Sequence, residues 1–170
     1  METKTTTLAS LRKEYGVEYI PYIRLLKTEE WAKIRGKVVD RDKQCCTKCC
    51  AQATVKGSSS HYHCTRDEDG ILSFEAADKP IHLEVHHTYY MANKMPWEYP
   101  KKALVTLCNW CHQELHDTTR VPFYGDEGEL MNYTPCSRCS GSGSFPEYNH
   151  VSGGTCFRCG GARYEELIRK

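Results

Sequence analysis

The chain has 170 residues, with 26% charged and 39% hydrophobic residues and a formal net charge of +1, so there is no global basic signature of nucleic-acid binding. No apolar run is long enough to cross a bilayer as a helix and no signal peptide is recognisable. The eleven cysteines are therefore expected in a reduced, cytoplasmic chain, holding metal rather than pairing as disulfides. Residues 1–60 carry 12 Lys or Arg against 7 Asp or Glu, so any nucleic-acid face is expected in the N-terminal half.

In chain order, Leu8, Leu11 and Tyr15 recur at helical spacing and predict a short helix within residues 3–18, interrupted at Pro21. Thr28 is an N-cap residue type, and Trp31, Ile34 and Val38 recur at i, i+3 and i+7. Together they predict an amphipathic helix over residues 28–41. Residues 1–44 thus form a helical lead-in. Lys33, Arg35, Lys37 and Arg41 are its candidate nucleic-acid contacts, with a merely solvated helix face as the equal alternative.

Cys46-Thr47-Lys48-Cys49 and Cys108-Asn109-Trp110-Cys111 are C-x-x-C knuckles. Four thiolates from two knuckles make a closed tetrahedral zinc site, which would clamp the two ends of the intervening segment. Within that segment, residues 51–80 are polar and weakly patterned, with a loop at Gly57 to Ser60 and a turn at Asp69-Gly70. Residues 71–76 and 81–86 are expected to pair as strands. His61, His63 and His82 have no partner at ligand spacing and are expected at the surface. Residues 88–102 form a loop rich in large side chains, whose expected role is packing.

The remaining histidines converge. His112 and His116 are four apart, so they share one helix face and can grip one metal. His86 is available as a third ligand, which leaves His87 beside it. Adjacent strand residues point to opposite sides, so one ring of the pair can serve a metal and the other a substrate. The alternation of Ile81, Leu83 and Val85 leaves open which ring does which. A single finger built from Cys108, Cys111, His112 and His116 is disfavoured, because such a finger needs roughly a dozen residues between its second Cys and first His.

Residues 120–134 read as a linker. Beyond it, Cys136, Cys139, Cys156 and Cys159 form two more knuckles and predict a second structural zinc in a ribbon over residues 135–163, with His150 exposed between them. Residues 164–170 form a tail with one helical turn. Cys45, Cys50 and Cys64 are left over as small thiols, and spacing alone would let Cys45 or Cys50 replace Cys46 or Cys49.

The paired His86-His87 followed by His112-Gln113-Glu114-Leu115-His116 resembles an HNH nuclease core. The lead-in from Tyr22 to Asp42 and the stretch Met95-Pro96-Trp97-Glu98-Tyr99-Pro100 resemble those of small bacterial and phage HNH proteins. The Arg41-Asp42-x-x-x-Cys-x-x-Cys spacing of that family selects Cys46 and Cys49. The resemblance implies an α+β fold with a ββα-metal (His-Me finger) core over residues 45–119. It also implies His86, His112 and His116 as ligands of a catalytic divalent ion, His87 as general base, and hydrolysis of phosphodiesters in nucleic acid, DNA ahead of RNA. Three imidazoles suit Zn, Ni or Mn better than Mg. Ala103 stands where the family usually has an asparagine that orients the base, so that task falls to a backbone carbonyl or to Glu98.

The segment from Cys136 to Gly143 resembles the CxxCxGxG repeat of the DnaJ-class cysteine-rich domain. Its second half, Cys159-Gly160-Gly161-Ala162-Arg163, puts Arg163 where the second glycine belongs, and no J-domain pattern accompanies it. A zinc ribbon is expected, not a chaperone, with recruitment of a protein partner as a possible task. The rival to the enzyme is a catalytically weak or inactive zinc module that binds nucleic acid or a partner protein.

Overall fold

In the computed structural model, which describes residues 6–16, 20–145, 148 and 150–168, the lead-in holds three helices: α1 (Leu8–Tyr15), α2 (Tyr22–Leu25) and α3 (Glu29–Arg41). A capping box opens α1, with Thr7 Oγ1 accepting the Ser10 N–H and Ser10 Oγ accepting the Thr7 N–H. The outer parts of the expected first helix, residues 3–5, 17 and 18, lie outside the described residues. Thr28 caps α3 by accepting the Trp31 N–H at 3.3 Å, and Glu29 and Glu30 sit at its positive end. At the other end, Arg41 donates to the carbonyls of Lys101 (2.6 Å) and Leu104 (2.7 Å), while the Asp42 carboxylate accepts the Thr106 N–H at 3.0 Å. The Arg41-Asp42 pair therefore ties α3 to the strand that leads into the second knuckle. The Arg41 guanidinium first, and the Thr106 N–H with it, holds the Asp42 carboxyl below the usual carboxylate range.

The strands pair differently from the expectation. β1 (Val55–Lys56), β2 (His61–Arg66) and β3 (Leu72–Ala77) form one antiparallel sheet, and β4 (Leu83–His87) pairs antiparallel with β6 (Leu104–Cys108). The predicted pairing of residues 71–76 with 81–86 does not form. The Asp67 backbone and carboxylate close a local turn onto Ile71, which delivers β3 to β2. β3 is almost wholly exposed, whereas β4 carries buried Leu83 and finds an apolar partner in β6, whose Leu104, Leu107 and Cys108 are buried.

The stretch 120–134 is more than a linker. β7 (Phe123–Tyr124) pairs in parallel with β5 (Tyr90–Met91) and antiparallel with β8 (Leu130–Met131). Val121 and Phe123 pack with Tyr90 and with Tyr164 of the tail, whose hydroxyl donates to the Val121 carbonyl at 2.9 Å. Apolar residues in a short connection need something to cover them, and the chain's C-terminal aromatic supplies it. The tail makes its turn as a 3-10 element at Glu165–Leu167.

The protein is thus mixed α+β with small sheets and two four-cysteine clusters that could hold structural zinc. Among the described residues, most of the buried apolar side chains fall into four groups, two of them built around these cysteines. Cores of this size gain stability from metal staples. No described helix is long and apolar enough to cross a membrane.

Candidate metal centre

α4 (Asn109–Thr118) begins directly at the end of β6, and Cys108 is its N-cap, its Sγ accepting the Cys111 N–H at 3.4 Å. This junction puts Cys108 and Cys111 against the first knuckle, which Thr47 pins to β6 by donating its N–H (2.8 Å) and hydroxyl (2.9 Å) to the Thr106 carbonyl. Cys46, Cys49, Cys108 and Cys111 place their sulfurs within 4.8 Å of one another, as do Cys136, Cys139, Cys156 and Cys159. The Cys49–Cys108 and Cys139–Cys159 pairs are each 3.7 Å apart. Tetrahedral zinc with sulfurs at about 2.3 Å requires an S···S edge of about 3.8 Å, so both donor sets fit that ion.

The residue after the second cysteine is left-handed in three of the four knuckles: Cys50 (φ 62°), Ser140 (φ 50°) and Gly160 (φ 57°). That conformation lets its N–H reach back to the first cysteine's carbonyl at 2.8 Å. Cys50 is thus a turn residue of the knuckle, and Cys46 and Cys49 are the clustered pair. A hydrogen bond from Cys139 first, then the N–H groups of Arg163 and Gly161, pull the Cys159 thiol down to about 5. Burial opposes ionisation of Cys46, yet the N–H groups of Cys108, Cys49 and Lys48 together bring it to about 7.

A third cluster is formed by His86 of β4 and His112 and His116 of α4. His86 Nδ1 lies 3.1 Å from His112 Nε2, which lies 3.2 Å from His116 Nε2. Nitrogens bound to one tetrahedral zinc at about 2.0–2.1 Å stand about 3.3 Å apart, so this set also has metal-site dimensions. His116 Nδ1 is buried without a hydrogen-bond partner. Burial first, and the neighbouring imidazoles second, push His86 down to about 2 and His116 to about 3, which favours the neutral form that could hold a metal ion.

The sequence reading missed Glu84. Its carboxylate accepts a 2.5 Å hydrogen bond from His112 Nδ1–H, which fixes the tautomer with the Nε2 lone pair toward the cluster. The signal was available: residues 84 and 86 share a face of the strand by the two-residue period.

His87 points the other way along β4 and takes no part in the imidazole cluster. Its ring stacks on Trp31 of α3 (centroids 5.1 Å apart, planes at 21°) and meets the edge of Tyr99. Its Nε2 lies 2.9 Å from the Pro96 carbonyl. A carbonyl only accepts, so Nε2 carries the proton and Nδ1 the lone pair. Burial leads in lowering His87 to about 4. Ala103 is buried and its carbonyl accepts the Thr88 N–H at 2.9 Å, while Glu98 is occupied with the Met95 N–H. The Pro96 carbonyl is therefore what orients His87.

A cavity of about 220 Å³ is lined by His86, His87 and His112 together with Glu84, Arg35 and Arg163. Of the four candidate nucleic-acid contacts, only Arg35 borders it, with one guanidinium nitrogen donating to the Leu83 carbonyl at 2.6 Å. Lys33 and Lys37 are exposed elsewhere on α3, and Arg41 is spent on backbone carbonyls. Arg163 comes from the ribbon, and sequence reasoning had noted it only as a departure from a glycine pattern. His82 and His150 are exposed, and His61 and His63 lie half-buried on β2, apart from the cluster. Comparison with family models, with curated proteins and with solved structures gives no match.

Proposed function

We propose that this chain is a divalent-metal-dependent phosphodiester hydrolase of the HNH kind, acting on nucleic acid, with DNA as the expected substrate. The observation that carries the reading is the convergence of His86, His112 and His116 on a strand–strand–helix unit, with His87 on the opposite side of the same strand and lining the same cavity. A divalent ion held by the three imidazoles would supply a Lewis acid that offsets charge on the phosphate and on the leaving oxygen. Zn, Ni and Mn match an all-imidazole donor set better than Mg.

The side chains divide the remaining work. His87, held through Nε2–H by Pro96, presents Nδ1 to accept a proton from the attacking water. Glu84 keeps His112 in the ligating tautomer. The two four-cysteine clusters, loaded with zinc, hold the unit's outer ends: one joins the end of α3 to β6 and α4, and the other closes the ribbon. Burial of His87, which is 3% exposed, favours a second reading, a zinc module that binds nucleic acid or a partner protein with the histidines as a third structural site.

Incubation of the purified protein with supercoiled plasmid and with single-stranded DNA, across Mg, Mn, Ni and Zn, decides between them. Cleavage that falls by about 10²-fold or more in His87→Ala is the expected result. No cleavage with any ion refutes the hydrolase and leaves the zinc module; equal cleavage by both proteins refutes the role of His87.

A further inference from the structure

Arg163 is a buried cation with no anion. It is 6% exposed, its Nε has no hydrogen-bond partner, and no described carboxylate pairs with it. Its guanidinium carbon lies 3.8 Å from the ring centroid of Tyr22 and 3.7 Å from that of Tyr90, two rings set nearly perpendicular to each other (84°). The backbone is left-handed there (φ 71°), a region that disfavours side chains larger than glycine's. Gly143, the second glycine of the CxGxG run, leaves room for it: a Cβ at that position would stand 2.7 Å from Arg163 Cγ. Three features that each cost stability thus converge on one side chain.

Aromatic faces attract a guanidinium but carry no formal negative charge to neutralise it. A guanidinium is a planar fork of N–H donors that matches two oxygens of a phosphate, and the Nε–H of Arg163 is unused. That residue borders the cavity shared by His86, His87 and His112. Glu84, the carboxylate on the same cavity, is engaged by His112, and the other cation there, Arg35, already donates to Leu83. An anion entering beside the imidazoles would find Arg163 unpaired.

We propose that Arg163 is the phosphate-binding residue of the histidine site, its guanidinium edge donating to non-bridging oxygens of the phosphodiester, so that the C-terminal ribbon completes the site. The identity of the substrate rests on the hydrolase reading; the anion site does not.

The test uses full-length, zinc-loaded protein as wild type, Arg163→Met and Arg163→Lys, with two readouts: thermal melting with and without inorganic phosphate, and plasmid cleavage resolved into kcat and KM. Methionine fills the slot between the tyrosines and removes an unpaired buried charge. Its melting temperature without phosphate is therefore expected to equal or exceed that of wild type, its phosphate-induced rise to vanish, and its cleavage to fall by about 10²-fold, mainly in kcat. A methionine variant that melts lower yet keeps the phosphate response, or that cleaves like wild type, makes the arginine a strut and overturns the proposal. Should it fail to fold, Arg163→Lys decides: about tenfold loss in phosphate affinity and cleavage supports the fork, and wild-type values overturn it. Wild type that cleaves nothing, yet loses its phosphate response in Arg163→Met, sinks the hydrolase reading alone. Undiminished cleavage by Arg163→Met sinks this inference alone.

Discussion

Removing the charge of Glu84 tests the histidine site without touching a ligand. The Glu84 and His112 side chains are 21% and 19% exposed and meet at 2.5 Å, a charge-assisted bond in a partly water-excluded place. A hydrogen bond to a charged group is worth about 1.5–3 kcal/mol and a neutral one about 0.5–1.5 kcal/mol. Glu84→Gln keeps an oxygen that accepts the Nδ1–H, so it loses the difference of about 1–1.5 kcal/mol, roughly a tenfold weaker metal affinity. Glu84→Ala loses the whole bond and frees the ring to rotate, which brings the loss toward a hundredfold. The assay is a zinc titration against a chromogenic chelator after both four-cysteine clusters are filled, with three ions per chain as the wild-type endpoint. Only the third ion should weaken, in the order Gln then Ala. Unchanged affinity in both variants, or parallel loss of all three ions, would refute the reasoning.

Leu104 is fully buried between Trp31, Val38 and Tyr99 and is the cross-strand partner of His87. Leu104→Ala is expected to cost about 2–5 kcal/mol in denaturant unfolding, and a cost under 1 kcal/mol would show that this cluster is not cooperative. Asp42 is held low by Arg41, so its stabilisation is present above the ordinary Asp value of about 3.9 and is lost as pH falls through the folded value. Asp42→Ala should therefore be less stable than wild type by about 1–2 kcal/mol at neutral pH, and the two should converge in acid; a gap that persists at pH 2 contradicts the ion-pair account. Cys156→Ser should release one zinc by elemental analysis and raise amide exchange across the ribbon, with the histidine-site metal retained because its ligands lie only on β4 and α4. Loss of that third metal too would show that the ribbon holds the histidines in place.

Much of the local geometry was readable from one sequence. Thr28 opens α3 because an N-cap needs only a hydroxyl three residues before an unsatisfied N–H. His112 and His116 meet because one turn of helix separates them, and each C-x-x-C brings its own two sulfurs together. Short spacings carry their geometry with them, whatever the rest of the chain does.

Partners far apart in the chain were a different matter. Residues 71–76 and 81–86 both read as strands, but pairing followed burial: exposed β3 took its hairpin neighbour, and β4, buried at Leu83, His86 and His87, took β6. Glu84 had no assigned role in the sequence, and it gains one only because α4 places His112 against it. Arg163 looked like a flaw in a glycine pattern until Tyr22, Tyr90 and the histidine cavity closed around it. By itself the sequence determined which residues can act as caps, knuckles and ligand pairs, since these depend on spacings of a few residues. Only the tertiary structure decided which charges are buried and against what, because burial comes from the packing of distant segments and no local pattern records it.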